Sequence, residues 1–146
     1  MRILDILTVL CAVAMTGTEF TVAFILNPAL DALDEATWLR AMPALAKAMG
    51  RAMPIWYASA FALIAAEGYL RFGTDARWWM VTAAGLWASS ILYSITMLVP
   101  INNRIASANG APASSVVLEH ARWDWLHRWR VALLVVATAC LLIGLA

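Results

Sequence analysis

The sequence predicts an all-α integral membrane protein, an up-down four-helix bundle formed by one domain over residues 1–146. Hydrophobic residues make up 64% of the chain and charged residues 13%, whereas soluble domains have about half and about a quarter. A globule of this size cannot bury such an excess in its core. The apolar residues also fall into long stretches with short polar links between them, which is typical of membrane-spanning helices.

The first apolar stretch, residues 6–26, is long enough to cross about 30 Å of hydrocarbon and ends at Asn27-Pro28. Residues 31–50 mix charged side chains with Leu, Met and Trp. This mixture predicts a short amphipathic helical connector at the membrane surface between spans one and two. Proline lacks a backbone N–H and clashes with the preceding turn, so we expect the connector to break near Pro43.

Two further spans follow the connector. Residues 53–70 are predicted to form the second span, with aromatic residues near both ends. Pro54 falls in the first turn of this helix, where proline is tolerated. Residues 78–99 form the third span, and Pro100 is expected to end its regular helix.

A fourth helix is predicted from Ser114 or Ser115, either of which can cap it, to Ala146. The preceding segment, residues 107–112, has strong turn chemistry. The helix has more than thirty residues, each rising about 1.5 Å, so it exceeds the thickness of the bilayer core. Its first half is therefore expected to extend beyond the membrane or to lie in a protein-lined cavity.

Alternating helix directions bring the polar and aromatic groups to one half of this bundle. The ends of spans one and three lie on the same side as the starts of span two and helix four. The candidate site residues gathered there are Glu19, Asn27, Trp56, Tyr93, Asn102, Asn103, Arg104, Trp123, His127 and Arg130. Ionisable groups are costly in hydrocarbon, so they mark places that water, substrate or a partner reaches.

One face of helix four combines imidazole, indole and guanidinium groups. At about 100° per residue, His120, Trp123, His127 and Arg130 fall within about a quarter of the helix surface. Such a face suits a flat aromatic ligand with oxygen substituents.

Other polar groups have simpler structural explanations. Glu67 and Arg71 have the spacing of a helical ion pair. Cys11 and Cys140 lie in separate apolar segments and are expected to be small core residues rather than a disulfide.

Three motifs resemble those of a known family. They are Gly17-Thr18-Glu19-Phe20 leading to Asn27-Pro28-Ala29-Leu30, then Val99-Pro100-Ile101-Asn102-Asn103-Arg104-Ile105, then Trp123-x-x-Leu126-His127-x-x-Arg130. The sequence is similar in these segments to the anthrone-oxygenase-like family of small four-span membrane proteins. The resemblance implies oxidation of polyketide anthrones to anthraquinones by O₂, with no metal or flavin cofactor. The expected location of the protein is a bacterial inner (plasma) membrane.

That chemistry assigns roles to the residues above. An anthrone is a carbon acid, so the protein needs a base, donors for the enolate oxygen and a dry aromatic slot. His127 or Glu19 is the candidate base. The candidate oxyanion donors are Arg130, Asn102 and Asn103, and the candidate substrate contacts are Trp123, Asn27, Trp56, Tyr93 and Arg104.

Two other function classes remain open. One is a non-haem metal-binding redox protein that uses His120, His127 and neighbouring carboxylates, although two histidines at i, i+7 are a weak ligand pattern. The other is a non-catalytic membrane protein that binds a lipid or quinone. The net charge of +1 gives no field for nucleic acid. The expected partners are the lipid bilayer, a small aromatic or lipid-like substrate and O₂, with a homo-oligomer left open.

Overall fold

The computed structural model describes residues 2–108 and 112–146, and all regular structure in those ranges is helical. We number the four long helices α1 (Ile3–Asp31), α2 (Glu35–Leu70), α3 (Arg77–Ala106) and α4 (Ala113–Leu145). By length and composition, α1, α3 and α4 could each cross a membrane. The chain is therefore an integral membrane protein.

The prediction of a separate connector between spans one and two, broken near Pro43, is wrong. Residues 35–70 make one continuous helix that contains both Pro43 and Pro54. Trp38, Met42 and Ala46 form a buried i, i+4, i+8 stripe that continues across Pro43 and packs against α3 and α4. This packing outweighs the lost backbone hydrogen bond at the proline. The expected second span is the C-terminal half of α2, and α2 as a whole is too polar to rank with the other three helices.

The N-terminus of α2 has a defined cap. The Asp34 carboxylate accepts a hydrogen bond from the backbone N–H of Thr37 at 3.0 Å. The Thr37 contacts hold the pKa of Asp34 below its usual value, because they favour the charged form.

The sequence predicted that helices would end at Pro28 and at Pro100, but neither proline ends its helix. The chain passes Pro28 and Pro100 without leaving the helix, and each proline is preceded by a π-helical segment, Val22–Leu26 or Ser94–Leu98. The backbone N–H just after each segment donates to the carbonyl five residues earlier, from Asn27 to Val22 and from Val99 to Ser94. The wider turn accommodates a residue that cannot donate to the preceding turn.

The start of α4 differs from the prediction by about one residue. The helix begins at Ala113 after Pro112, and no side chain caps it. Ser115 instead donates its hydroxyl to the Pro112 carbonyl at 2.7 Å. The central part of the predicted turn before this helix, residues 109–111, lies outside the described residues.

Neighbouring helices run antiparallel. Between α1 and α4, Thr16 bonds Thr138 at 2.8 Å while Asn27 bonds Asp124 at 2.7 Å. Between α2 and α3, contacts join Gly68 to Met80 at one end and Ala46 to Asn102 at the other. Between α3 and α4, contacts join Met80 to Gly144 and Ser94 to Arg130.

Two apolar clusters hold the helices together. The larger lies around the fully buried Trp87 and includes Met15, Ile64, Met80 and Leu134. The smaller surrounds Trp38 at the opposite end. Cys140 is buried and Cys11 half-buried, and both are free thiols as expected. The polar groups described next lie between these clusters.

Candidate functional site

A buried ion pair joins α1 to α4 at the centre of the predicted site. Nη2 of Arg130 donates to Oε2 of Glu19 at 2.6 Å, and the hydroxyl of Tyr57 on α2 donates to Oε1 at 3.0 Å. Glu19 is 1% exposed and Arg130 is 7% exposed. Removal of one partner from such a buried ion pair strongly destabilises a protein, because the other charge stays buried without a partner.

His127 fixes the geometry of this pair. Its Nε2 lies 3.1 Å from the backbone oxygen of Glu19, which can only accept, so Nε2 carries the proton. Its Nδ1 lies 2.9 Å from Nη2 of Arg130, which can only donate, so Nδ1 accepts. Both ring nitrogens of a neutral imidazole are therefore occupied, and His127 holds Glu19 and Arg130 in place.

Helical spacing on α4 produces this arrangement, as the sequence predicted. The His127 ring stacks on Trp123 with ring centroids 4.5 Å apart, and Trp123 stacks more loosely on His120 at 6.5 Å. The side chain of Arg130, one turn further on, lies over the ring of Tyr57 at 5.4 Å. The face thus reaches α1 and α2 together.

Both π-helical segments meet at this site. The first begins three residues after Glu19, and the second begins at Ser94, whose hydroxyl accepts from Nη1 of Arg130 at 3.1 Å. Ser94 in turn donates to the Ser90 carbonyl at 2.7 Å. Single π turns inside α-helices occur often at functional sites, where they re-aim side chains.

A cavity of about 260 Å³ opens beside the ion pair. Its walls are mostly apolar and come from all four helices. The polar side chains that line it are Glu19, Tyr57, Ser94, Asn102, Asn103, Trp123 and Arg130, and the apolar ones include Val22, Met49, Met53, Ile91, Ile95, Leu98 and Val99. The cavity therefore presents one acid, one guanidinium and amide groups to a ligand that is otherwise in apolar surroundings.

Five predicted site residues line this cavity, namely Glu19, Asn102, Asn103, Trp123 and Arg130. His127 is fully buried and contacts two of them without itself being a lining residue. The structure thus brings together the acid, the asparagine pair and the imidazole–guanidinium face.

The other four predicted residues have structural contacts outside the cavity. Trp56 donates its Nε1–H to the Cys11 carbonyl at 3.2 Å, and Tyr93 donates its hydroxyl to the Leu126 carbonyl at 3.3 Å. Asn27 bonds Asp124 on α4, as noted above. Arg104 makes an exposed two-bond ion pair with Glu119 at 2.8 and 3.1 Å.

Sequence reasoning missed Tyr57 and Ser94 as site residues. Tyr57 lies on the buried face of α2, three residues before Ala60 and seven before Ile64. That apolar spacing was available in the sequence and would have favoured Tyr57 over its neighbour Trp56. Ser94 gave no such signal, because its place at the site depends on the π turn that begins there.

A second, smaller cavity of about 30 Å³ lies next to the first. It is lined by Asn27, Asn102, His120 and Trp123 among apolar residues. His120 is 4% exposed, and its Nε2 lies 3.4 Å from an Asp31 carboxylate oxygen. Among residues 2–108 and 112–146, no three His, Cys, Asp or Glu side chains are grouped as a metal site would require.

The predicted Glu67–Arg71 ion pair forms at the opposite end of the helices. Arg71, the residue that follows α2, bonds Glu67 in the last turn of that helix and also Asp5 of α1 at 2.9 Å. Glu67 is fully buried. Through Arg71, the buried acids Asp5 and Glu67 link α1 to the end of α2, outside the cavity.

The comparison with protein families matches the sequence-based resemblance. The model of a family described as anthrone oxygenase matches residues 38–140, well over half of the chain. The chain belongs to the anthrone oxygenase family. The anthrone oxygenase match includes Tyr57, Asn102, His127 and Arg130, whereas Glu19 precedes it. Comparison with curated proteins and with solved structures gives no significant match.

Proposed function

We propose that this protein is a membrane-embedded oxygenase that oxidises an anthrone or a hydroquinone-like aromatic with O₂, and that all four helices cross the bilayer. One observation carries the proposal. A carboxylate and a guanidinium, Glu19 and Arg130, face the same largely apolar cavity and belong to a chain of this family. An acid-base group and a cation in a dry pocket are what abstraction of a proton next to a carbonyl requires.

Glu19 is the better candidate for the base. The two ring nitrogens of His127 are engaged by the Glu19 carbonyl and by Arg130, and the ring does not line the cavity. Glu19 does line it, and each carboxylate oxygen, although it accepts from Arg130 or Tyr57, has a further lone pair. In this assignment Glu19 removes a proton from the methylene carbon of the anthrone, and His127 is a positioning residue that aligns Arg130.

Arg130 is the candidate donor for the enolate oxygen. Its Nη atoms already serve Glu19, His127 and Ser94, and its buried Nε has no hydrogen-bond partner among the described residues. A buried donor without a partner is costly, and an anionic ligand oxygen would satisfy it. Asn102 and Asn103 extend the polar side of the cavity and can bind a second oxygen substituent.

The remaining steps need only the substrate and O₂. The enolate gives one electron to O₂, and the carbon radical and superoxide combine to a peroxide, which takes a proton to become the hydroperoxide. Loss of the second proton from the same carbon breaks the O–O bond, forms the new carbonyl and releases hydroxide, which becomes water. Each anthrone thus consumes one O₂ and yields one anthraquinone and one water.

Oxygen uptake by the purified protein tests this function. We expect consumption of one O₂ per anthrone, and a loss of about 10²- to 10⁴-fold in kcat for Glu19→Gln, the range for removal of a general base. Glu67→Gln is the matched control, because Glu67 is also buried and paired with an arginine but lies outside the cavity. Equal activity of Glu19→Gln and Glu67→Gln would refute the assignment of Glu19.

A non-catalytic role is the second candidate, and the same cavity favours it. A protein that only carries a quinone or lipid would bind an anthraquinone and show no uptake of O₂ above the rate without protein. Parallel measurement of binding and of oxygen uptake separates the two candidates.

A further inference from the structure

The cavity reaches the protein surface along a gap between α2 and α3. Six of its lining residues are exposed, and they belong to these two helices only. On α2 they are Gly50, Pro54 and Ala58, and on α3 they are Ile95, Val99 and Asn103. The exposed lining residues therefore mark the edges of an opening.

The six residues form two matched edges. On each helix they are spaced four apart, so each set lies along one face of its helix. Because α2 and α3 are antiparallel, Gly50 and Asn103 lie at the same end of the gap, and Ala58 and Ile95 lie toward its other end. Eight residues at about 1.5 Å each give the opening a length of about 12 Å along the helices.

Direct contacts between α2 and α3 define the two ends of the gap. At one end, Nδ2 of Asn102 donates to the Ala46 carbonyl at 3.0 Å and approaches Gly50 closely. At the other end, Nε1 of Trp87 donates to the Tyr57 carbonyl at 3.4 Å. The helices touch at both places and separate between them.

Most of the surface beside the gap is apolar, and Arg51 is exposed at the Gly50 end. Ile55 on α2 is 71% exposed, and Leu92 and Ile95 on α3 are 64% and 59% exposed. Since α3 is one of the helices long and apolar enough to cross a membrane, its exposed apolar side chains suit contact with lipid. With α3 in a bilayer, most of the gap would face hydrocarbon, and Asn103 lies at its polar end.

We propose that the cavity is filled from the bilayer, through the gap between α2 and α3, by a flat aromatic molecule dissolved in the membrane. This inference rests on the proposed function and adds the route and the class of ligand. The ligand enters between Ala58 and Ile95, and its oxygen substituent meets Arg130, the cation inside. Pockets for small molecules have volumes of about 300–1,000 Å³. This cavity, with about 260 Å³, lies just below that range, so it accommodates a compact ring system rather than a two-chain lipid.

Binding kinetics in phosphatidylcholine vesicles test the route without any turnover. The probe is a hydroxylated anthraquinone, which cannot be oxidised further at the reacting carbon, and binding is followed by quenching of tryptophan fluorescence in stopped flow. We expect Ala58→Phe to slow association by about tenfold or more, within the range that mutants of one binding site show.

Ala66→Phe is the matched control for this variant. Ala66 is also an exposed alanine of α2, and it does not line the cavity. It lies about two helical turns beyond Ala58, outside the gap. The same added ring at Ala66 should therefore leave the association rate unchanged.

A second variant covers loss of folding in the first. Ile95→Ala widens the gap and is expected to speed association, which no unfolded protein would do. At a fixed amount of probe, added lipid should slow association in proportion to the dilution of the probe within the bilayer. Equal association rates for Ala58→Phe and Ala66→Phe would overturn the proposed route.

The outcome is separable from that of the proposed function. Binding through the gap with no uptake of O₂ would leave the route intact and remove the oxygenase assignment. Uptake of O₂ that is unaffected by Ala58→Phe would keep the oxygenase and remove the route.

Discussion

Replacement of Arg130 by methionine is the sharpest test of the buried ion pair. The guanidinium makes three polar contacts, with Glu19 at 2.6 Å, His127 at 2.9 Å and Ser94 at 3.1 Å. Methionine fills a similar volume and makes none of these contacts. The Glu19 carboxylate, 1% exposed, would then lack its cation and keep only the Tyr57 hydroxyl.

The expected cost follows from which charges remain. Removal of one partner of a buried ion pair destabilises a protein by about 3–5 kcal/mol. Adding Glu19→Gln to Arg130→Met removes both charges, and the glutamine amide can still accept from Tyr57. The bonds from Arg130 to Ser94 and His127 are lost in both variants, so the double variant differs from Arg130→Met chiefly in having no unpaired buried charge. The double variant should therefore be more stable than Arg130→Met alone, with a coupling free energy of about 1–3 kcal/mol.

Reversible unfolding in mixed lipid–detergent micelles, followed by tryptophan fluorescence, gives the free energies for this cycle. Arg128→Met is the matched control on the same helix. Its guanidinium pairs with Asp124 at 2.9 Å but is 47% exposed, so its loss should cost less than about 1 kcal/mol. Additive effects in the Glu19 and Arg130 cycle, or a cost for Arg130→Met no larger than for Arg128→Met, would refute the description of a tightly coupled buried pair.

Two further predictions concern helix packing and are measured by thermal unfolding. Gly144→Ala should destabilise the protein by about 1–3 kcal/mol, because the new Cβ would lie 3.0 Å from Cβ of Trp79. Gly85→Ala is the control and should stabilise the protein by about 0.5–1 kcal/mol, because no atom lies within 4 Å of its new Cβ. Thr138→Val should lower the free energy of unfolding by about 0.6 kcal/mol, because its 2.8 Å hydrogen bond to Thr16 is lost. Adding Thr16→Val should lower it little further, since the same bond is already absent. A loss twice as large in the double variant would show that the two hydroxyls act independently.

Much of the candidate site followed from two regular patterns in the sequence. Alternating helix directions placed Glu19 and helix four at the same end, and spacing on one face of that helix aligned Trp123, His127 and Arg130. The structure puts Nδ1 of His127 3.3 Å from Oε2 of Glu19, so this geometric inference is confirmed. Both patterns depend only on helix geometry, which the sequence specifies well.

The prolines show what local rules leave out. Pro43, Pro28 and Pro100 were all expected to break or end helices, yet each lies within a longer helix. The local cost of a proline is a few kcal/mol, and tertiary packing of a long apolar stripe or a π turn can offset it. Both depend on neighbouring helices that a local pattern does not contain.

Adjacent aromatic residues on one helix set a second limit on what can be predicted from the sequence. Trp56 and Tyr57 point about 100° apart, and only the spacing of Tyr57 to Ala60 and Ile64 indicates which of the two is buried. Tyr57 bonds Glu19 in the buried site, while Trp56 bonds the α1 backbone. Similarly, Arg71 was paired correctly with Glu67, but its second partner Asp5 is 66 residues away in sequence.

Deuterium exchange at the methylene carbon of an anthrone, measured in D₂O without O₂, tests the central claim most directly because it isolates proton abstraction from every later step. The protein should accelerate exchange, and Glu19→Gln should reduce that acceleration by about 10²- to 10⁴-fold, while Glu67→Gln leaves it unchanged. Exchange by Glu19→Gln as fast as by the unmodified protein would contradict the claim that the carboxylate beside Arg130 is the base.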